Sequence, residues 1–160
     1  MTIDQLQFRH VMGNFATGVA IVTAAHEGSF AGFTANAFTS VSLEPPLVLV
    51  CLGVQNASRK IIEASRAFCV NILTVEQEDL ARIFATNGPA KYDYLAKVTH
   101  HSALTGSPIL DGSLAWIDCR LTDVYPGGDH LILLGEVVAL EAAQGDPLLY
   151  LRAKYHRLEK

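Results

Sequence analysis

The chain has 160 residues, half of them hydrophobic and 18% charged, with a formal net charge of −4. That length and apolar content suit a folded domain with a sizeable core and exclude an intrinsically disordered chain. The acidic balance and the lack of a basic run exclude nucleic-acid binding by phosphate neutralisation; the longest apolar runs, LVLVCLGV and HLILLGEVVAL, are too short or too interrupted to cross a bilayer.

In chain order, MTIDQLQFRH carries no signal-peptide core. Thr2 and Gln5 have capping-box spacing, followed by a loose helical stripe of Ile3, Leu6, Val11, Met12 and Phe15. GVAIVTAA then turns through HEGS, a hairpin signal. From Phe33 to Leu43 the chain alternates with period two. Phe33, Ala35, Ala37, Thr39, Val41 and Leu43 form a small, apolar core face, and Thr34, Asn36, Phe38, Ser40 and Ser42 form the other. A strand face turned to water more often carries Lys, Glu or Arg, so this row of short hydrogen-bonding groups is unusual. Pro45 and Pro46 break the run, and LVLVCL, apolar on both sides, reads as a central strand. NASRKIIEASR is a short helix capped by Asn56 or Ser58, and AFCVNIL is a buried strand. Thr74 and Gln77 repeat the capping-box spacing ahead of VEQEDLARIFA.

Asn87 to Pro108 is rich in Gly, Pro and His with little apolar period, which predicts a long surface loop or lid. SLAWIDCRLTDVY alternates, PGGD turns, and HLILLGEVVALEA follows, apolar on both faces, before LLYLRAKYHRL closes the chain. At least six strands joined mostly by hairpins predict a mainly β fold. The natural form is an antiparallel barrel with short peripheral helices, residues 1–160 making a single domain. The two-faced strand from His130 is either central in the barrel or covered by a second subunit. Cys51, Cys69 and Cys119 lie in apolar runs without CxxC spacing, which predicts buried free thiols, a reduced cytoplasmic setting and no metal site.

The segment after LVLVCL leads into a helix through Asn56, Ser58, Arg59 and Lys60. Unpaired N–H groups, a positive dipole end and two cations suit a phosphate. It has neither the GxxxxGK[ST] nor the GxGxxG spacing, and a capped helix with a basic first turn is common for structural reasons alone. The Pro45–Pro46 turn, however, joins the hydroxyl-lined strand to the strand that carries this anion site. A ligand flat and polar-edged at one end and phosphorylated at the other would fit both, and a flavin nucleotide has that shape. The structural alternative is that Thr34, Asn36 and Ser40 pair with a neighbouring loop.

FATGVAIVTA, GFTANAFTSVSLEPPLVLVCL, FCVNIL, GGDHLILLGEV and PLLYLRAKYHRL, in this order and spacing, resemble the flavin reductase family. These are small NAD(P)H:flavin oxidoreductases with an FMN-binding split barrel, the reductase partners of two-component monooxygenases. The resemblance implies a homodimeric split barrel that uses NADH or NADPH to reduce FMN or FAD and releases the reduced flavin to a separate oxygenase. It places Thr34, Ala35, Asn36 and Ser40 at the isoalloxazine and ribityl chain, and Asn56, Ser58 and Arg59 near the phosphate. A rim runs from Ala85 through Lys91, where Lys91 reads equally well as a solvated lysine. His130, in GGDH, falls on the nicotinamide side, with Tyr155 and Arg152 along the dinucleotide groove; a C-terminal aromatic packed on the barrel competes for Tyr155. Hydride passes directly between the two nucleotides, so no catalytic acid or base is expected. A non-enzymatic flavin carrier or store, or a barrel for another planar phosphorylated ligand such as pyridoxal phosphate, are the other readings.

Overall fold

The computed structural model describes residues 2–159. A first helix, α1 (Gln5–Met12), leads through a two-residue strand, β1 (Thr17–Gly18), into β2 (Ala20–His26) and β3 (Ser29–Ala35). The β2–β3 turn is Glu27–Gly28, both at positive φ (47° and 77°), the turn hand that matches the twist of its strands. β4 (Phe38–Leu43) and β5 (Pro46–Gly53) form a second hairpin, followed by α2 (Ser58–Ser65) and β6 (Ala67–Ile72). A single 3-10 turn, Val75–Gln77, opens α3 (Glu78–Phe84) with the expected Thr74–Gln77 capping box. Then come α4 (Ala90–Leu95), β7 (His100–Ser102), β8 (Pro108–Leu110), β9 (Ala115–Gly127), β10 (His130–Ala142), β11 (Leu149–Leu151) and β12 (Lys154–His156).

Seven strands make one antiparallel sheet in the order β3-β2-β6-β9-β10-β5-β4. Laid flat, its two edges would stand about 29 Å apart, six steps of roughly 4.8 Å. The chain passes from one edge, β3, to the other, β4, through Asn36 and Ala37 alone. Three residue steps reach at most about 11 Å, so the sheet must curl until its edges meet. The amide of Cys51 donates to the carbonyl of Ala37 (3.0 Å) and pins that junction. The result is an antiparallel β-barrel with peripheral helices, as the hairpin pattern predicts.

Inward-facing residues of all seven strands fill the barrel, among them Val22, Phe33, Val50, Phe68, Leu121 and Leu133, and α2 adds Ile62. Gly135 makes room for Phe68, since a Cβ there would lie 2.5 Å from its ring. A second core lies outside, where Val19, Ile21 and Leu73 meet Phe84 of α3, Leu95 of α4 and Leu148. The small sheet β1-β11-β12 borders this second core.

Four expectations are corrected. The α1 cap is Asp4, whose carboxylate accepts from the Gln7 amide (2.9 Å), and not Thr2. The run Phe33–Leu43 is two strands on opposite edges, so the supposed core face holds only for Phe33 and Ala35. Ala37, Thr39, Val41 and Leu43 are exposed, Leu43 at 95%. The segment Asn87–Pro108 is no open lid, because it contains α4 and β7. The buried Asp118 carboxylate also clamps its second half, accepting from the amides of Leu104 and Thr105 (both 2.9 Å). All three cysteines are free, but Cys51 is only half-buried.

Candidate functional site

Two neighbouring cavities form a trough beside the end of β3. One, of about 310 Å³, is walled by Phe15, Thr17, Ala35, Asn36, Phe38 and Ile72. The other, of about 200 Å³, is walled by Val19, Thr34, Asn36, Ala85, Tyr150 and Tyr155. Val19 and Asn36 line both. The trough exists because the chain must leave one barrel edge for the other at Asn36–Ala37, which opens a gap in the wall. Thr34, Ala35, Asn36, Ala85 and Tyr155, scattered in sequence, therefore meet here.

Of the trough's polar residues, Thr34 and Tyr155 are held by the rest of the fold. The Thr34 hydroxyl donates to the carbonyl of Ala81 in α3 (2.7 Å), so the structural alternative for Thr34 holds at least in part. The Tyr155 ring tilts against Tyr150, centroids 5.4 Å apart, and carries the Arg82 guanidinium 4.8 Å above its centre. Burial pushes its phenol above the ordinary range. Thr17 is not held in this way: its hydroxyl oxygen is buried with no hydrogen-bond partner among the described residues. A buried hydroxyl left unpaired costs free energy, so this one fits a ligand that completes it. Reading the sequence missed Thr17, although it lies in FATGV, because a threonine beside a glycine at a strand start carries no chemical signal.

A third cavity, of about 610 Å³, lies between the loop before α2 and the start of α4. Asn56, Asn87, Pro89, Lys91, Tyr92 and Asp129 are in its wall. The Ser58 hydroxyl, which meets Tyr92 of this wall, also donates to the carbonyl of Gly32 (3.4 Å), two residues before Thr34 of the trough. The predicted phosphate ligands here are largely occupied. Ala57, and not Asn56 or Ser58, holds the N-cap position of α2, because the helix begins one residue later than the Asn56 reading; the Ser58 amide still donates to the Asn56 side chain (2.9 Å), and the Ser58 hydroxyl also meets the Tyr92 hydroxyl (3.2 Å). Arg59 is paired with Glu63 one turn on (2.8 Å). Lys91, in contrast, is 6% exposed, so its reading as a solvated lysine is corrected. Its ammonium donates to the Phe84 carbonyl at 3.4 Å and lies 5.4 Å from the Tyr92 ring centre. Burial pulls its pKa below the ordinary 10.5.

The remaining predicted residues stand apart. His130 is exposed at the start of β10, its Nδ1–H donating to the Asp129 carboxylate (2.7 Å), which that contact holds below the usual carboxylate range. A cavity of about 540 Å³ separates His130 from Ile3, Phe8 and Arg9 of the N-terminal segment. Asp129 also lines the third cavity, and the Val54 amide donates to its carbonyl (3.0 Å), so the hairpin tip borders the Asn56 loop. Arg152 is exposed and bonded to Asn14 (2.9 Å), away from every cavity described. Ser40 is exposed on the edge strand β4 and lines none of them.

Comparison with known proteins identifies the family. Residues 12–159 match the model of the flavin reductase like domain. The chain is 41% identical over 160 residues to the reductase subunit HsaB of a flavin-dependent monooxygenase from Mycobacterium tuberculosis, covering 98% of this chain and 84% of that protein. Among solved structures, a nitrilotriacetate monooxygenase component B homologue from Mycobacterium thermoresistibile superposes with a TM-score of 0.91 at 44% identity, covering 98% and 87% of the two chains. The NADH:FAD oxidoreductase SgcE6 of Streptomyces globisporus, solved with NAD and FAD fragments, superposes with a TM-score of 0.89 at 36% identity, covering 98% and 93%.

Proposed function

The chain belongs to the flavin reductase family, and from that premise we propose that its trough seats the flavin ring while the third cavity takes the flavin's phosphorylated tail. The protein is an NAD(P)H:flavin oxidoreductase, a reductase component that supplies reduced flavin to a monooxygenase. The observation that carries the reading of the site is the pair of under-satisfied groups framing it. Among the described residues Thr17 offers a buried hydroxyl without a hydrogen-bond partner, and Lys91 a buried ammonium whose hydrogen bond to the Phe84 carbonyl is long, at 3.4 Å.

The redox chemistry belongs to the two nucleotides, a hydride moving from reduced nicotinamide to flavin. This chain's residues bind, orient and exclude water. Thr17 and Asn36 meet the ring's polar edge, and Ala35, without a bulky side chain, leaves space for it. Thr34, its hydroxyl already donating to the Ala81 carbonyl, is left as an acceptor. Ala85 and Tyr155 close the far wall. Asn56 and Ser58 fix the loop before α2, Arg59 steadies that helix through Glu63, and Lys91 faces the phosphate. His130 stands on the nicotinamide side, while Arg152 holds the end of α1 through Asn14. Ser40, exposed on the edge strand, has no part in this site. We assign a homodimer, with the cytoplasm as the compartment that suits three free thiols, and no membrane or nucleic-acid partner. Among the described residues no helix is long and apolar enough to cross a membrane.

A steady-state assay tests this. Oxidation of NADH or NADPH should depend on added free flavin, and a yellow protein inert to both nicotinamides would mark a carrier instead. His130→Ala should raise the KM for the nicotinamide several-fold and leave flavin affinity unchanged. An unaltered KM and kcat would remove His130 from the site.

A further inference from the structure

Tyr155 walls the trough from a weakly anchored position. It is the middle residue of β12, a three-residue strand at the edge of the small sheet, whose backbone pairs with β11 alone. So short an edge strand has little hold of its own, and side-chain contacts must fix where the ring stands. The Tyr150 ring tilts against it, centroids 5.4 Å apart, and the Arg82 guanidinium lies 4.8 Å above its centre, the arrangement in which cation and aromatic face attract.

Arg82 is itself held in place. Its Nε–H donates to the Glu78 carboxylate one turn earlier on α3 (3.0 Å), and a second guanidinium nitrogen reaches the same oxygen. With the Arg82 side chain 60% exposed, such a pair adds little stability; its larger effect is to give the cation a fixed place over the tyrosine. The residues around it in α3 also serve the trough. The Ala81 carbonyl accepts from the Thr34 hydroxyl (2.7 Å), and Ala85 lines the same cavity as Thr34 and Tyr155. Arg82 lines none of the cavities described. We infer that Arg82 is a positioning residue of the reductase, which acts through Tyr155 by holding its ring as a ready-made wall for the isoalloxazine. This rests on the reading of the trough as the flavin-ring site. A side chain that must be ordered as a ligand binds lowers affinity, whereas one already in place does not. Because the wall meets the ring and not the tail, losing Arg82 should affect riboflavin, FMN and FAD alike.

Fluorescence titration of the flavin-free protein with each of the three flavins tests this. Arg82→Met should raise all three dissociation constants by a common factor of about 2 to 10, the cost of ordering one side chain on binding. Arg82→Lys, which keeps a cation near the ring, should recover most of the loss. Tyr155→Phe, which keeps the ring, should bind as the wild type does. Tyr155→Leu should weaken binding, and Arg82→Met added to it should cost nothing more, because the two side chains act as one unit. A lower melting temperature for Arg82→Met with all three affinities unchanged would make Arg82 a structural surface residue and overturn the inference. So would losses from Arg82→Met and Tyr155→Leu that simply add. A raised KM for NADH in Arg82→Met with unchanged flavin affinity would place Tyr155 against the nicotinamide and overturn it too. Failure of the wild-type protein to bind any of the three flavins would sink the reading of the trough, and this inference with it.

Discussion

Thr17 Oγ1 is a hydroxyl that the fold buries in the mostly apolar trough and leaves without a hydrogen-bond partner among the described residues. A threonine and a valine have nearly the same shape, so Thr17→Val removes the unsatisfied group and little else. The ligand-free protein should then become more stable, its thermal midpoint rising, because the desolvation cost of about 1–3 kcal/mol disappears. Flavin should bind about 3- to 10-fold more weakly, since a hydrogen bond worth roughly 0.5–1.5 kcal/mol is lost. Calorimetric melting and a fluorescence titration read the two effects separately, and a variant that loses stability without losing affinity would make Thr17 purely structural. The same bookkeeping explains which site residues were legible from the chain alone. Thr34, Ala35 and Asn36 announced themselves as short side chains on a strand, and they do line the trough. Arg59 and Lys91 exchanged ranks for a reason no string of letters carries. Glu63, one turn beyond Arg59, takes its charge, whereas Lys91 is sealed under a fold-dependent wall.

At the scale of elements, β10 has to pass Phe68 inside the barrel, and Gly135 is where it does so. A Cβ at that position would lie 2.5 Å from the Phe68 ring and 2.9 Å from Cys119 Cβ, with backbone held by β5 on one side and β9 on the other. Gly135→Ala should therefore destabilise the protein by about 1–3 kcal/mol in urea unfolding, the usual cost of overpacking. Shortening the facing ring with Phe68→Leu in the same chain should recover part of that loss. Stability unchanged by Gly135→Ala would mean that this stretch of barrel is looser than the geometry states. Hairpins were readable because their turn residues carry a fixed conformational demand: Glu27–Gly28 is an example, and Gly128–Asp129 between β9 and β10 is another. The break at Asn36–Ala37 was not readable, since alternation continues through it while the strand changes edges. α4 was hidden for a different reason. It is a helix of six residues with only Lys91 and Leu95 buried, too short to show a period among the glycines and prolines around it.

The whole chain carries an apolar surface that its own fold leaves uncovered. Nothing in α1 is buried; Leu6, Phe8, Val11 and Met12 are each at least half exposed, and Ile3 and Phe15 flank them in the same state. Val41 and Leu43 add to this on the outer edge strand, where the sequence had suggested a core face. Large apolar side chains left exposed along one helix mark an interaction surface, and for a chain whose family resemblance implies a homodimer the natural occupant is a second copy related by a two-fold axis. Such a cover would also bear on the site, because Phe15 lines the trough and Ile3 and Phe8 line the cavity beside His130. In light scattering coupled to size exclusion, the protein should run near twice 17.3 kDa. Charging two residues that line no described cavity, Leu6→Glu with Leu43→Glu, should shift it toward the monomer while far-ultraviolet dichroism keeps its β signature, since neither side chain belongs to the two cores. If the surface is an interface, dissociation frees α1, and nicotinamide KM should rise in the same variant although His130 is untouched. A wild-type protein that is monomeric at tens of micromolar would leave α1 without a partner of its own kind and would turn that face toward the oxygenase instead.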